Sequence, residues 1–183
     1  FGFQGPDIDF EMILLTRRIW KALNLNSLKL ELNSLGGSES RKEYKRQLQN
    51  YFNDHKKELD EDSLKRLDSN PLRILDSKNP DLQSLIESAP KMIDFLDQES
   101  NEHFEGLTGM LQDHAIEYNL NTRLVRGLDY YTRTVFEWTT DKLGAQATVC
   151  GGGRYDELVA ELGGQATPAI GCAIGLERLI ELV

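Results

Sequence analysis

The 183-residue chain holds two cysteines, three histidines and five prolines. Cys150 and Cys172 both fall in expected strands without CxxC spacing, so the pattern reads as reduced core thiols and excludes a disulfide framework or a thiolate metal site. His55, His103 and His114 fall on separate expected helices with no ligand spacing, and solvated helix positions are their plain reading. No apolar run approaches the ~20 residues a membrane-spanning helix needs, and no secretory leader opens the chain, which begins on Phe1. Positive charge is scarce: 21 Lys and Arg against 30 Asp and Glu leave a net charge of -9. That balance excludes a broad nucleic-acid-coating surface and leaves room only for a local basic patch. With no initiator Met and no closing cap after Leu182, the sequence reads as a piece of a longer cytoplasmic protein. Its length suits one domain with an inserted subdomain.

In chain order, Ile8, Met12, Leu15, Ile19 and Leu23 recur at helical spacing, with Pro6 and three acids in the first turn. Leu28 to Asn33 alternates as a half-buried strand and stops at Gly36-Gly37. The texture then becomes short, charged and helical, punctuated by Asn70-Pro71, Asn79-Pro80 and Ala89-Pro90. Ser40 and Glu43 form a capping-box pattern, and Tyr44, Leu48, Tyr51, Phe52 and His55 define one stripe. Arg41, Lys42, Lys45 and Arg46 gather on about two helical turns. A solvated basic face and a phosphate-backbone contact both fit them. Further helices are expected over Asp60 to Leu67, Asp81 to Ser88 and Gln98 to Ile116, the last burying Phe104, Leu107, Leu111 and Ala115. Residues 36–97 read as a helical insertion between 1–35 and 98–183.

The chain is organised around Leu124 to Trp138, LVRGLDYYTRTVFEW. The apolar pair Leu124-Val125, the turn formers Gly127 and Asp129 and the β-rich run that follows read as a strand-turn-strand corner carrying Arg126, Tyr130 and Tyr131. Strict alternation would put Tyr131, Arg133, Val135 and Glu137 on one face and Tyr130, Thr132, Thr134, Phe136 and Trp138 on the other. A further antiparallel strand, Ala145 to Cys150, leads into Gly151-Gly152-Gly153, which is either a flexible turn or a place for close ligand approach. GxxxxGK[ST] is absent, which argues against a Walker-type phosphate cradle. In the last strand, Ala169, Gly171 and Ala173 put only small groups on one face, able to accept a flat ring. Arg178 in the first turn of the closing helix opposes the helix dipole and calls for an anion, either Glu177 or a phosphorylated ligand.

Taken together, LVRGLDYY, VCGGGRYDELV and GLERL, after an amphipathic helix and an insertion containing NPLRILDSK, resemble histidyl-tRNA synthetases of the bacterial type. RGLDYY and GGGRYD are specific to these enzymes and their close paralogs, whereas GLERL is a general class II synthetase signature. The resemblance covers the chain from QGPDID onward. It implies an α+β fold, a class II antiparallel sheet flanked by helices and carrying a helical insertion, in a homodimer. It also implies roles for residues. Arg126 resembles the catalytic arginine that contacts the histidine carboxylate and the ATP α-phosphate. Tyr130, Tyr131 and Tyr155 match the tyrosines of the histidine pocket. Arg178 resembles the arginine packed over adenine, with Gly171, Ala173 and Gly175 beneath the nucleotide, which enters with Mg2+. Arg41, Lys42, Lys45 and Arg46 become candidates for the tRNA acceptor arm.

The resemblance further implies that two class II signatures precede Phe1 and an anticodon-binding domain follows Val183, so the piece alone is expected to be inactive. Three functions compete: a histidine–tRNA ligase, a synthetase-like regulatory subunit that senses histidine, and a fragment that merely binds tRNA. Intact RGLDYY with an arginine in GLERL favours the ligase.

Overall fold

The computed structural model describes residues 1–125, 130–144 and 147–183. Helix α1 (Pro6–Ala22) opens the fold and strand β1 (Lys29–Ser34) follows it. The helical stretch comprises α2 (Ser38–Asp54), α3 (Glu61–Ser69), α4 (Gln83–Glu87) and short 3-10 turns. Helix α5 (Gln98–Asp113) returns the chain to β2 (Asn119–Leu120), β3 (Thr132–Thr139) and β4 (Thr148–Arg154). A single turn, α6 (Leu158–Glu161), precedes β5 (Ile170–Ile174) and α7 (Leu176–Leu182). The strands form one sheet in the order β2-β1-β3-β4-β5, antiparallel except for the β1–β2 pair. Among the described residues, no helix is long and apolar enough to cross a membrane.

Among the described residues two large apolar cores, with a small third one around Val135, hold the fold together. On one face of the sheet, α1 and α5 cover Leu30, Leu32, Phe136, Trp138 and Cys150 through Ile13, Trp20, Phe104, Leu107 and Leu111. The second core joins Tyr44, Leu48 and Phe52 of α2 to Leu67, Ile74, Leu82, Ile86 and Met92. Each fully buried side chain of this size is stabilised by ~1.5–3 kcal/mol through removal from water, which is why the short helices of this stretch hold together.

Several sequence expectations are corrected. The deeply buried stripe of α1 is Asp9, Ile13, Thr16 and Trp20, one position away from the apolar stripe, and Leu15 is exposed. Thr16 is buried because its hydroxyl is satisfied twice: it donates to the Ile13 carbonyl at 2.8 Å and accepts from the Trp138 indole at 2.8 Å. Ser40 does not begin α2, whose N-cap is Gly37. Instead the Ser40 hydroxyl donates to Asp97 at 2.6 Å, and Asp97 caps α5 through the Ser100 amide at 2.8 Å. This shared carboxylate is held down at about 2, chiefly by the Ser40 hydroxyl and further by the Ser100 and Gly37 amides against a desolvation penalty. Ala115 is exposed, beyond the end of α5 and in the left-handed region at φ 49°. Cys172 lies exposed on β5 while Cys150 is buried. His103 is buried rather than solvated.

The expected hairpin does not form as drawn. Leu124 and Val125 lie outside any strand, and β2 pairs in parallel with β1 rather than with β3. The turn itself, residues 126–129, lies outside the described residues, and so do positions 145 and 146. The three glycines are strand, not loop: β4 runs through Gly151, Gly152 and Gly153 to Arg154.

Candidate functional site

The register of the sheet determines what lies on the face away from α1. Across the strands, Asn33, Val135, Gly153 and Gly171 form one row, and Glu31, Glu137, Gly151 and Ala173 form the next. Side chains of one strand alternate between faces, so in these two rows β4 and β5 contribute only glycines and one methyl group. Two of these glycines leave no room for a side chain as the tyrosines stand. A Cβ on Gly153 would stand 2.6 Å from the Thr134 carbonyl oxygen and 3.0 Å from the Tyr131 ring, and one on Gly171 would stand 2.8 Å from the Tyr155 hydroxyl. The tyrosines occupy the space that those side chains would need.

At this end of the strip, Tyr130, Tyr131 and Tyr155 cluster, with ring centroids 4.6, 6.0 and 6.4 Å apart, and Phe1 meets Tyr155 edge-on at 6.5 Å. They pack with Leu35, Leu124, Val125 and Val135. The expected separation of Tyr130 from Tyr131 onto opposite faces does not occur. Both precede β3, whose entry is bulged between Thr132 and Val135, with Arg133 in the left-handed region at φ 48°. A non-glycine residue there costs on the order of 1–3 kcal/mol and persists only where its surroundings over-determine it. Here they do. The Arg133 amide donates to the Gly36 carbonyl at 2.8 Å, the Leu35 amide donates to the Arg133 carbonyl at 2.7 Å, and the guanidinium meets Glu99 at 2.6 Å and Asp156 at 4.0 Å. Burial, with Tyr131 nearby, pushes the Tyr155 phenol upward, so its hydroxyl stays neutral and able both to donate and to accept.

At the other end, Arg178 donates to the Thr148 carbonyl at 2.5 Å, and the Thr148 hydroxyl donates to Glu137 at 2.8 Å. The backbone carbonyl, rather than Glu177, is the guanidinium's partner. From Gly153 to Thr148 the strand advances about 17 Å, so tyrosines and arginine bracket a bare strip with room for a flat, extended ligand. Ala173 is exposed on this strip, whereas Ala169 is buried and precedes β5. Gly175 lies at the turn into α7, its amide donating to the Val149 carbonyl at 2.9 Å. Arg126 falls among the residues outside the described set; its neighbour Leu124 is held by Asn33, whose amide donates to the Leu124 carbonyl at 3.0 Å.

Sequence reasoning missed the group that anchors the site from below. Asp9 and Arg154 are fully buried and joined by hydrogen bonds of 2.6 and 3.0 Å. Asp9 also accepts from His103 and Thr134 at 2.6 Å each, and Arg154 donates to the carbonyls of Phe3 and Gly5 at 3.0 Å and to Asp156 at 3.1 Å. Burial alone would raise the Asp9 carboxyl; the bonds from His103, Arg154 and Thr134 outweigh it and hold the group below its ordinary value. Arg154 is in turn pushed upward, since Asp9 and Asp156 outweigh its desolvation. The residue next to Tyr155 is thereby locked to α1, α5 and the segment of residues 3–5 before α1. The available signal was Asp9 at spacing 4-3-4 with Ile13, Thr16 and Trp20, a buried stripe written partly in polar residues.

Of the four basic residues of α2, Arg41, Lys42 and Lys45 line one cleft, and Arg46 is not among its lining residues. Lys42 pairs with Glu39 at 2.6 Å, and Arg46 pairs with Glu43 through two bonds of 2.7 and 2.9 Å. Arg41 turns inward to the Tyr131 carbonyl. Lys45 lines a cleft of about 440 Å³ with Arg41, Lys42, Glu157 and Glu161. Among the described residues, no group of three or more His, Cys, Asp or Glu stands close enough to hold a metal ion.

A solved apo histidyl-tRNA synthetase from S. aureus is 38% identical over 99% of this chain, with a TM-score of 0.77, and the chain spans 44% of that protein. An ATP phosphoribosyltransferase regulatory subunit/histidyl-tRNA synthetase from Bacillus halodurans shares the fold at 23% identity, with a TM-score of 0.62 over 99% of this chain and 51% of the other. A histidyl-tRNA synthetase from Nostoc does so at 21% identity, with a TM-score of 0.61 over 98% and 47%. The family model for histidyl-tRNA synthetase matches residues 1–179, and the chain belongs to that family.

Proposed function

We propose that the protein carrying this chain activates L-histidine with Mg2+-bound ATP and passes the histidyl group to tRNA(His), acting as a cytoplasmic homodimer. The observation that supports this reading is the bare glycine strip bracketed by three tyrosines at one end and Arg178 at the other. Tyrosine hydroxyls both donate and accept, which suits an imidazole with one donor and one acceptor nitrogen. A planar, permanently charged guanidinium at the far end suits adenine stacking and a phosphate at once. Tyr130, Tyr131 and Tyr155 take the histidine; Arg178, with Gly171, Ala173 and Gly175 beneath, takes the nucleotide. Mg2+ comes with the ATP phosphates as part of that substrate. Arg126 contacts the histidine carboxylate and the α-phosphate, stabilising the charge that develops as the adenylate forms. We take residues 1–35 and 98–183 as catalytic core and residues 36–97 as the helical insertion, whose Lys42, Lys45 and Arg46 meet the tRNA acceptor arm.

The test is histidine-dependent ATP–pyrophosphate exchange in the full-length protein. Arg126→Ala is expected to lower exchange by roughly 10²–10³, the usual effect of removing one preorganised donor. Exchange at the wild-type rate in the folded variant overturns the role given to Arg126. Histidine binding without exchange in the wild type points to the sensing subunit instead. The isolated 183-residue chain, with only part of the site, is expected to show no exchange, because groups that act as a unit fail non-additively.

A further inference from the structure

We infer that Arg41 is a positioning residue for the tyrosine cluster, joining α2 to the floor of the site, and is not a contact for nucleic acid. This rests on the reading of the cluster as a histidine pocket. Although Arg41 lies in the most basic run of the sequence, its side chain is only 20% exposed. Its guanidinium donates to the carbonyl of Tyr131 and lies 3.9 Å from the Glu157 carboxylate. Those partners flank the cluster on two sides, one within Tyr131 itself and the other two residues beyond Tyr155.

The carbonyl that Arg41 takes is the last before the bulged entry to β3. That entry is tied to the start of α2 twice more, by the Leu35–Arg133 and Arg133–Gly36 backbone bonds. Residues 131–133 are therefore fastened to residues 35–41 at three points, two of them backbone and the third the side chain of Arg41. The Tyr131 ring in turn lies against Gly153 and Tyr130. A displacement of α2 is thus carried to Tyr131, and from it to the other rings. A planar fork serves a carbonyl and a carboxylate together in one rigid geometry; a lysine ammonium, with three donors on a flexible stem, holds that geometry less firmly.

The experiment uses the full-length protein and titrates L-histidine by calorimetry. Arg41→Met is expected to weaken histidine binding by about tenfold or more, with Arg41→Lys intermediate, since displacements of order 1 Å in a positioned site have effects of this size or larger. In exchange kinetics the change should fall on KM for histidine, with KM for ATP within about twofold of wild type. Lys65→Glu, at an exposed position of α3, should leave histidine affinity unchanged. Binding of tRNA by Arg41→Met should keep its wild-type salt slope, because loss of one phosphate contact lowers that slope by about one. Wild-type histidine affinity in Arg41→Met, or a lowered salt slope, overturns the inference. Should Arg41→Met fail to fold, Arg41→Lys and Glu157→Gln carry the test, and wild-type histidine binding in both overturns it. A wild-type protein that binds no histidine refutes the functional reading itself and the inference with it, an outcome distinct from any difference among variants.

Discussion

The two large cores use ion pairs in opposite ways. Beneath the tyrosines, Asp9 and Arg154 are wholly removed from water and every bond of the pair is shared with His103, Thr134, Asp156 or a backbone carbonyl. On α2, Lys42–Glu39 and Arg46–Glu43 stand in solvent, satisfied mostly by one another. Exposed pairs of that kind contribute ~0–1 kcal/mol, whereas breaking a buried pair leaves an uncompensated charge. The difference teaches that the buried pair fixes placement in the sheet half, whereas the exposed pairs of α2 leave the helical half to its apolar packing and its polar caps.

The largest expected effect comes from breaking the buried pair. Asp9→Ala should destabilise by about 3–5 kcal/mol, measured by urea denaturation, because Arg154 loses its fully buried carboxylate and His103 and Thr134 lose their acceptor. Replacing both, Asp9→Leu with Arg154→Met, should recover part of that loss. A full loss in the double variant would show that the bonds to Phe3, Gly5 and His103, rather than the uncompensated charge, dominate. Because the Asp9 carboxyl is lowered on folding, its contribution is present above the ordinary carboxylate range and is lost as acid is added.

In the helical half the comparison is sharpened by Leu48→Ala, a fully buried position of α2. A loss of about 2–5 kcal/mol is expected from the missing contacts and the cavity. Hydrogen exchange should show faster opening across residues 38–95 and little change in the sheet; uniform loosening of both would mean the cores unfold as one unit.

The smallest effect belongs to the joint between them. Asp97 caps α5 and accepts the Ser40 hydroxyl, so Asp97→Ala should cost ~1–2 kcal/mol, and Asp97→Asn less, since asparagine also caps. The carboxyl is lowered from 3.8 to about 2 on folding. Its contribution is therefore complete above pH 4 and lost as pH falls toward 2, and the acid limb of the stability curve should flatten in Asp97→Asn.

Some of these features were legible in the residues and some were not. The helical period of α1, α2 and α5, the alternation of β1 and the break at Gly36-Gly37 are local properties, visible wherever the chain repeats its pattern over several turns. The motif residues Tyr130, Tyr131, Tyr155 and Arg178 were legible as types at fixed spacings. Their gathering was not, because it depends on a two-residue bulge at Arg133 and on glycines whose missing side chains make room for the rings. Nor could the sequence say that Arg41 turns inward while Lys42 turns out, since that is decided by where the Tyr131 carbonyl and Glu157 lie, 90 and 116 positions away.

The sequence by itself determined the secondary-structure periods, the excess of negative charge and the motifs of the family. Tertiary structure alone decided which polar groups are buried. Asp9, Thr16 and His103 read as surface residues in any local window, because burial of a polar group is favourable only when its partners arrive with the right geometry, and those partners come from distant strands and helices.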